Sequence, residues 1–157
     1  MQGSIDQIYG NRVRVRVCGL LVEGDRILLV NHTGIRDGDW WAPPGGGVEF
    51  GEPIDAALRR EFVEECGLEV AVDEFCFVCE YLKPPIHAVE LFFRVTKIDG
   101  QLRTGSDPET ADKKVIQEVK FHRLEDLEKL PAENLHGVFA YCRKKGQITA
   151  LRGYFKL

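Results

Sequence analysis

The chain has 157 residues, 44% of them hydrophobic and 29% charged, with a formal net charge of −4. These values fit one globular domain over residues 1–157, with 1–11 as a flexible or edge segment, and give no electrostatic reason to expect nucleic acid as a partner. No apolar run approaches the ~18 residues of a membrane span, and "MQGSIDQIYG" lacks the apolar core of a signal peptide, so a cytoplasmic protein is expected.

In chain order, "RVRVRVCGLLVEGDRILLVNH" alternates arginine and valine from Arg12 to Val17, then turns at Gly24-Asp25 into "RILLV". This predicts a hairpin whose first strand is half-buried at its start and whose second is more fully buried. Arg12, Arg14 and Arg16 share one face, which is either solvated or met by an anionic substrate. "NHTGIRDGDWWAPPGGG", Asn31 to Gly47, reads as a turn-rich loop with two tryptophans and three consecutive glycines. Pro53 suits an early helical position, and a helix is predicted from Ile54 to Cys66, ended by Gly67.

Strands follow near Val70–Leu82 and Val89–Ile98, then a long polar loop from Asp99 to Lys114. "VIQEVKFHRL" is a further strand. "PAENLHGVFAYCRKKG" reads as a helix with Leu135, Val138, Phe139 and Cys142 on one side. "QITALRGYFKL" reads as a last strand at an edge or a homodimer interface. Strands mixed with two main helices predict an α/β or α+β layer structure.

The five cysteines, Cys18, Cys66, Cys76, Cys79 and Cys142, are an odd number scattered through regular elements, which suits reduced, buried thiols. Cys76 and Cys79 form a C-x-x-C, but on a strand positions three apart face opposite sides. None of His32, His87, His122 and His136 shows metal-ligand spacing, and each reads as a satisfied or exposed histidine.

The predicted helix carries the chemistry. "RREFVEECG" places Glu61, Glu64 and Glu65 within five residues, where like charges repel one another and crowd the negative end of the helix dipole. At roughly 100° per residue, Leu58, Phe62, Cys66 and Ala57 project with Ile54 into one apolar arc. Glu61 and Glu65 fall inside that arc and Glu64 borders it, so two carboxylates point toward the protein. Unpaired, they would be heavily penalised; clustered, they call for cations. An oxygen-only donor set favours Mg²⁺ or Mn²⁺ over zinc, and Mg²⁺ commonly pairs with substrate phosphates. The glycines upstream fit neither a Walker loop nor a dinucleotide fingerprint, yet glycine permits close backbone approach to a ligand.

Taken together, "GGVEFGEPIDAALRREFVEECGL", Gly46 to Leu68, resembles the Nudix box, with Gly46, Glu52, Arg60, Glu61, Phe62, Glu64, Glu65, Gly67 and Leu68 at the specified positions. The resemblance implies an α/β/α sandwich around a mixed β-sheet. It also implies Mg²⁺-dependent hydrolysis, with Mn²⁺ as a substitute, of a nucleoside diphosphate linked to another moiety. By position, Glu61, Glu64 and Glu65 would bind metal together with the Gly45 carbonyl, while Arg60 and Glu52 would support the site by salt bridging. The general base would be a box glutamate, Glu64 first, or a downstream acid, with Glu118 preferred to Glu109. Trp41 or Trp40 would stack on a base, and Arg36 or the Arg14 face would meet phosphates. Pro84, sixteen residues beyond Leu68, resembles a marker of ADP-ribose-cleaving members, so ADP-ribose or a nucleotide sugar is preferred. The alternatives are a nucleoside triphosphate pyrophosphohydrolase and a non-catalytic nucleotide sensor.

Overall fold

The computed structural model describes Gln7 and residues 10–34, 37–105, 116–142 and 147–157. Its strands are β1 (Val13–Leu20), β2 (Val22–Glu23), β3 (Arg26–His32), β4 (Trp41–Ala42), β5 (Gly45–Gly47), β6 (Leu68–Lys83), β7 (Ile86–Gly100), β8 (Ile116–Arg123) and β9 (Gly153–Lys156). The helices are α1 (Ile54–Cys66) and the short α2 (Gln147–Ala150). A five-stranded mixed sheet runs β5-β1-β7-β6-β9, with β1 parallel to β7 and antiparallel to β5. In the second sheet β3 pairs with β8 and also with β2 and β4.

Period-two alternation gives these strands two apolar faces. From β1 and β3, Val17, Leu28 and Val30 pack with Ala57, Leu58, Phe62 and Cys66 of α1. The intervening Cys18, Leu20, Ile27 and Leu29 pack with Phe77, Phe92, Trp41 and the C-terminal Leu135, Val138, Phe139 and Ile148. The result is the expected α/β/α layering. Fully buried side chains such as Phe62 and Leu58 stabilise it by roughly 1.5–3 kcal/mol each.

Helix α1 has the predicted bounds. Gly67, at φ 72°, lies in the left-handed region and directs its N–H back to the last turn, as a glycine C-cap does. Ile54 lies inside the projected arc but is the first residue of the helix, and it is exposed. Among the described residues, no helix is long and apolar enough to cross a membrane.

Several local expectations are corrected. The hairpin turn at Gly24 joins β3 to the two-residue β2, while β1 leaves for the other sheet. The predicted Asn31–Gly47 loop contains the end of β3 and the strands β4 and β5, because its backbone groups pair with β1 and β3. The predicted C-terminal helix is two 3₁₀ turns, Ala132–Asn134 and Gly137–Ala140. It breaks where Leu135 and His136 extend and the His136 N–H donates to Trp41 O at 2.8 Å. Two short turns satisfy the same apolar spacing. The last segment forms α2 before β9, which lies at the sheet edge beside β6.

All five cysteines are free and buried. Cys76 and Cys79 nevertheless share one core, since Phe75 pairs with Phe93 and Phe77 with Phe92. Cys76 is thus the extra residue of a bulge, which resets the alternation. Burial raises both thiol pKa values, that of Cys79 to about 12.

Candidate active site

The carboxylates of α1 lie as the helical projection places them. Glu61 is 4% and Glu65 2% exposed, on the face that buries Leu58, Phe62 and Cys66, while Glu64 sits at its border. Arg60 organises the group. Its Nε and Nη2 donate to the two Glu52 carboxylate oxygens at 2.8 and 3.0 Å. Nη1 reaches Glu61 at 2.9 Å and Glu64 at 3.2 Å, and Nη2 also reaches Gly47 O at 3.1 Å. The planar fork suits such sharing. The hydrogen bonds from Arg60 hold the Glu52 pKa below its ordinary value, and those carboxylates raise the pKa of Arg60.

The glycine strand is the other wall. Gly45 N–H donates to Glu65 Oε1 at 2.8 Å, so Gly45 meets this cluster through its backbone N–H. At Gly46 a Cβ would stand 2.3 Å from Glu61 Oε1, so only glycine leaves room for that carboxylate. The last turn of α1 is held by a strap: Arg103 N–H donates to Cys66 O at 2.9 Å and Gly105 N–H to Glu65 O at 2.8 Å. These donors satisfy carbonyls that a helix end leaves open.

The donor chemistry fits a hard divalent cation: acidic oxygens beside a backbone cradle that any side chain at Gly46 would fill. Among the described residues no three His, Cys, Asp or Glu side chains converge as a preformed metal cage, and Arg60 bridges Glu61 and Glu64.

Trp41 and Glu118 do not join the box acids. Trp41 is 4% exposed in the core, with His122 edge-on at 4.4 Å and Lys120 over its ring, so it presents no open face to a base. Its neighbour Trp40 is the half-buried one. Glu118 is exposed and pairs with Lys120 at 3.6 Å, whereas the adjacent Val119 packs toward α1; strand alternation therefore turns Glu118 from the box acids. Arg14 is half-buried on β1. Arg36 and Glu109 lie outside the described residues.

The sequence reading missed a buried polar group on the opposite side of β1. Glu90 binds His136 Nε2 at 2.9 Å and Arg16 Nη1 at 3.3 Å. Burial opposes its charge, but His136 and Arg16 outweigh that and hold its pKa at about 2. Its signal was legible: an acid at an inward position of the apolar run "HAVELFFRV". His32 is also buried, with Nε2 4.0 Å from Glu65 Oε2. Desolvation, then Arg16 and His136, lower its pKa to about 4.

A family model described as "NUDIX domain" matches residues 10–141. An "ADP-ribose pyrophosphatase" of Methanocaldococcus jannaschii is 30% identical over 133 residues, covering 83% of this chain and 74% of that protein. A "Nucleoside triphosphatase NudI" of Escherichia coli is 42% identical over 66 residues, covering 40% of this chain and 46% of that protein. In fold, the chain is similar to the crystal structure of a MutT NUDIX hydrolase from Burkholderia pseudomallei, with TM-score 0.66 and 23% identity. That alignment covers 87% of this chain and 99% of the other.

Proposed function

The chain belongs to the NUDIX domain family, and from that premise we propose that it hydrolyses the diphosphate bridge of a nucleoside diphosphate linked to a second group, ADP-ribose or a nucleotide sugar, with Mg²⁺ and with Mn²⁺ as a substitute. The observation that carries this reading is the burial of Glu61 and Glu65 against the glycine strand, with Glu64 and Arg60 at the rim. The ADP-ribose pyrophosphatase relative, aligned over 83% of this chain, supports the substrate class.

Glu61, Glu64 and Glu65 would hold the ion, with the Gly45 carbonyl as a fourth oxygen. When bound, the ion neutralises charge on the diphosphate and lowers the pKa of its water. Water attacks one bridge phosphorus, the P–O bond to the bridging oxygen breaks, and the water's proton passes to a carboxylate. Glu64 suits this role: its side chain is 26% exposed and its 3.2 Å contact to Arg60 is the longest of that guanidinium's ion pairs. Glu52 clamps Arg60 from the far side and so fixes the spacing of Glu61 and Glu64.

The test is turnover of ADP-ribose, nucleotide sugars and nucleoside triphosphates with Mg²⁺, reading phosphate after phosphatase coupling, for the wild type and Glu65→Gln. The expected result is release of a nucleoside monophosphate from a diphosphate-bridged substrate. Glu65→Gln is expected to lose more than the roughly 10–100-fold that loss of an outer metal partner costs. Near wild-type turnover by Glu65→Gln overturns the assignment. A second reading, triphosphate pyrophosphohydrolysis, draws on the 42% identity to the triphosphatase over 66 residues; preferential cleavage of triphosphates in the same panel would select it.

A further inference from the structure

The five-stranded sheet has apolar side chains on both faces, but α1 covers only one end of its own face. Val17 on β1 and Val95 on β7 pack with α1. Alternation carries that face back along the two strands to Val13, Val15, Val89 and Leu91. On β6 it continues through Val78 and Leu82, which pair with Leu91 and His87, and on β9 through Tyr154, opposite Val78. Phe75 joins it through an edge-on contact with Phe93, with ring centroids 5.5 Å apart.

This end of the face is open. Val13, Leu82 and Tyr154 are each more than half exposed, and Phe75 is half exposed. A sheet face that met only water would carry polar side chains at these positions. The patch spans four strands and about six residues along each, a footprint of roughly 400 Å² at ~4.8 Å between strands and ~3.3 Å per residue. That is the size at which exposed apolar surface marks an interaction site.

The charges on this face point to its occupant. Glu80 and Lys156 are opposite in sign and side by side in the β6–β9 register. Glu80 is also held by His87 at 2.9 Å and by the Tyr154 hydroxyl. The face is therefore close to neutral and has no excess charge to attract nucleic acid or a strongly charged protein. A second copy meets it without conflict. Under a two-fold axis each Glu80 can approach the Lys156 of the other copy, while apolar side chains pack on their own images. Two such sheet faces interdigitate at a spacing of about 10 Å. A standard interface buries about 800 Å² on each partner, so the patch supplies the apolar core and its polar margin the remainder.

We propose that two copies of this chain associate through this face, sheet against sheet about a two-fold axis. Val13, Val15, Phe75 and Leu82 form the apolar contact, and Glu80 pairs with Lys156 across it. The contact uses the faces of the strands and not the free edge of β9. It is independent of the hydrolytic reaction.

The test is sedimentation equilibrium of the intact protein over a concentration series at low ionic strength, without nucleotide or metal. Wild type is expected to show a monomer–dimer equilibrium. Leu82→Glu is expected to raise the dissociation constant at least tenfold, because it sets an unpaired charge in the apolar contact. Ile98→Glu, which changes another exposed apolar residue at the far end of β7, should associate as wild type does. Glu80→Lys gives a face with two positive charges, and Lys156→Glu one with two negative charges. Each alone is expected to dimerise more weakly than wild type, and an equimolar mixture to recover dimer as a mixed pair. Near-ultraviolet circular dichroism checks each fold. A wild type that stays monomeric throughout overturns the proposal and leaves the face to a different protein. Dimers that survive Leu82→Glu unchanged, or charge variants whose mixture gains nothing, overturn it as well.

Discussion

On α1 the Arg60 guanidinium is shared among Glu52, Glu61 and Glu64, and Glu65 is buried beside them; on β7 the single carboxylate of Glu90 receives both Arg16 and His136. Both regions bury acids, but only the first holds more negative charge than the guanidinium at its centre offsets. The difference separates two uses of buried charge. Acids in excess of their cation leave repulsion that an added ion relieves, whereas an acid matched by protein donors is closed by the fold itself.

The largest expected effect breaks the matched group. Glu90→Ala leaves Arg16 and His136 facing a vacated position, and breaking a buried pair from one side costs about 3–5 kcal/mol, measured as the shift in urea unfolding. Because its pKa is depressed from 4.5 to about 2, the Glu90 contribution is complete above pH 4.5 and is lost as pH falls through 2.

Next comes the group in excess. Mg²⁺ at a hundred times its dissociation constant should stabilise the wild type by about 2.7 kcal/mol, read as a raised thermal midpoint. Glu65→Gln should lose most of that response, while an Arg16 variant should keep it. Equal Mg²⁺ responses in wild type and Glu65→Gln would erase the distinction between the regions.

A smaller effect sharpens the role of burial. Desolvation and then Lys120 lower the His122 pKa from 6.5 to about 4, and His32 is lowered to about 4 as well. Between those values the unfolded chain binds protons that the folded chain refuses. Stability is therefore full above pH 6.5 and falls on acidification toward pH 4, by on the order of 1–3 kcal/mol per histidine. His122→Phe should keep the edge contact with Trp41 and flatten part of that slope in unfolding measured at pH 7 and 4.5. Least of all, Asp55→Ala removes one half of an exposed pair with Arg59 and should leave the thermal midpoint unchanged.

Much of the acidic site is legible before any folding. The spacing from Gly46 to Leu68 is read directly along the chain, and the projection of Glu61 and Glu65 depends on α1 alone, because helical periodicity is a local property of the chain. Burial of β3 and the half-buried start of β1 are legible for the same reason, since alternation marks their faces. The strand partners were not: β1 reads as half of a hairpin, yet it lies between β5 and β7, with the β7 partner some seventy residues away in sequence.

The sequence by itself determined the family and the acidic helix, because the box and the helical projection are read from residues close together in the chain; the pairing of Arg60 with Glu52, which the resemblance implied, is present in the fold. Only the tertiary structure decided which tryptophan is enclosed, that Glu118 turns from the box acids, and that Glu90 meets Arg16 and His136. Those outcomes depend on strand order, on a bulge and on a broken C-terminal turn, where contacts between distant segments override local pattern.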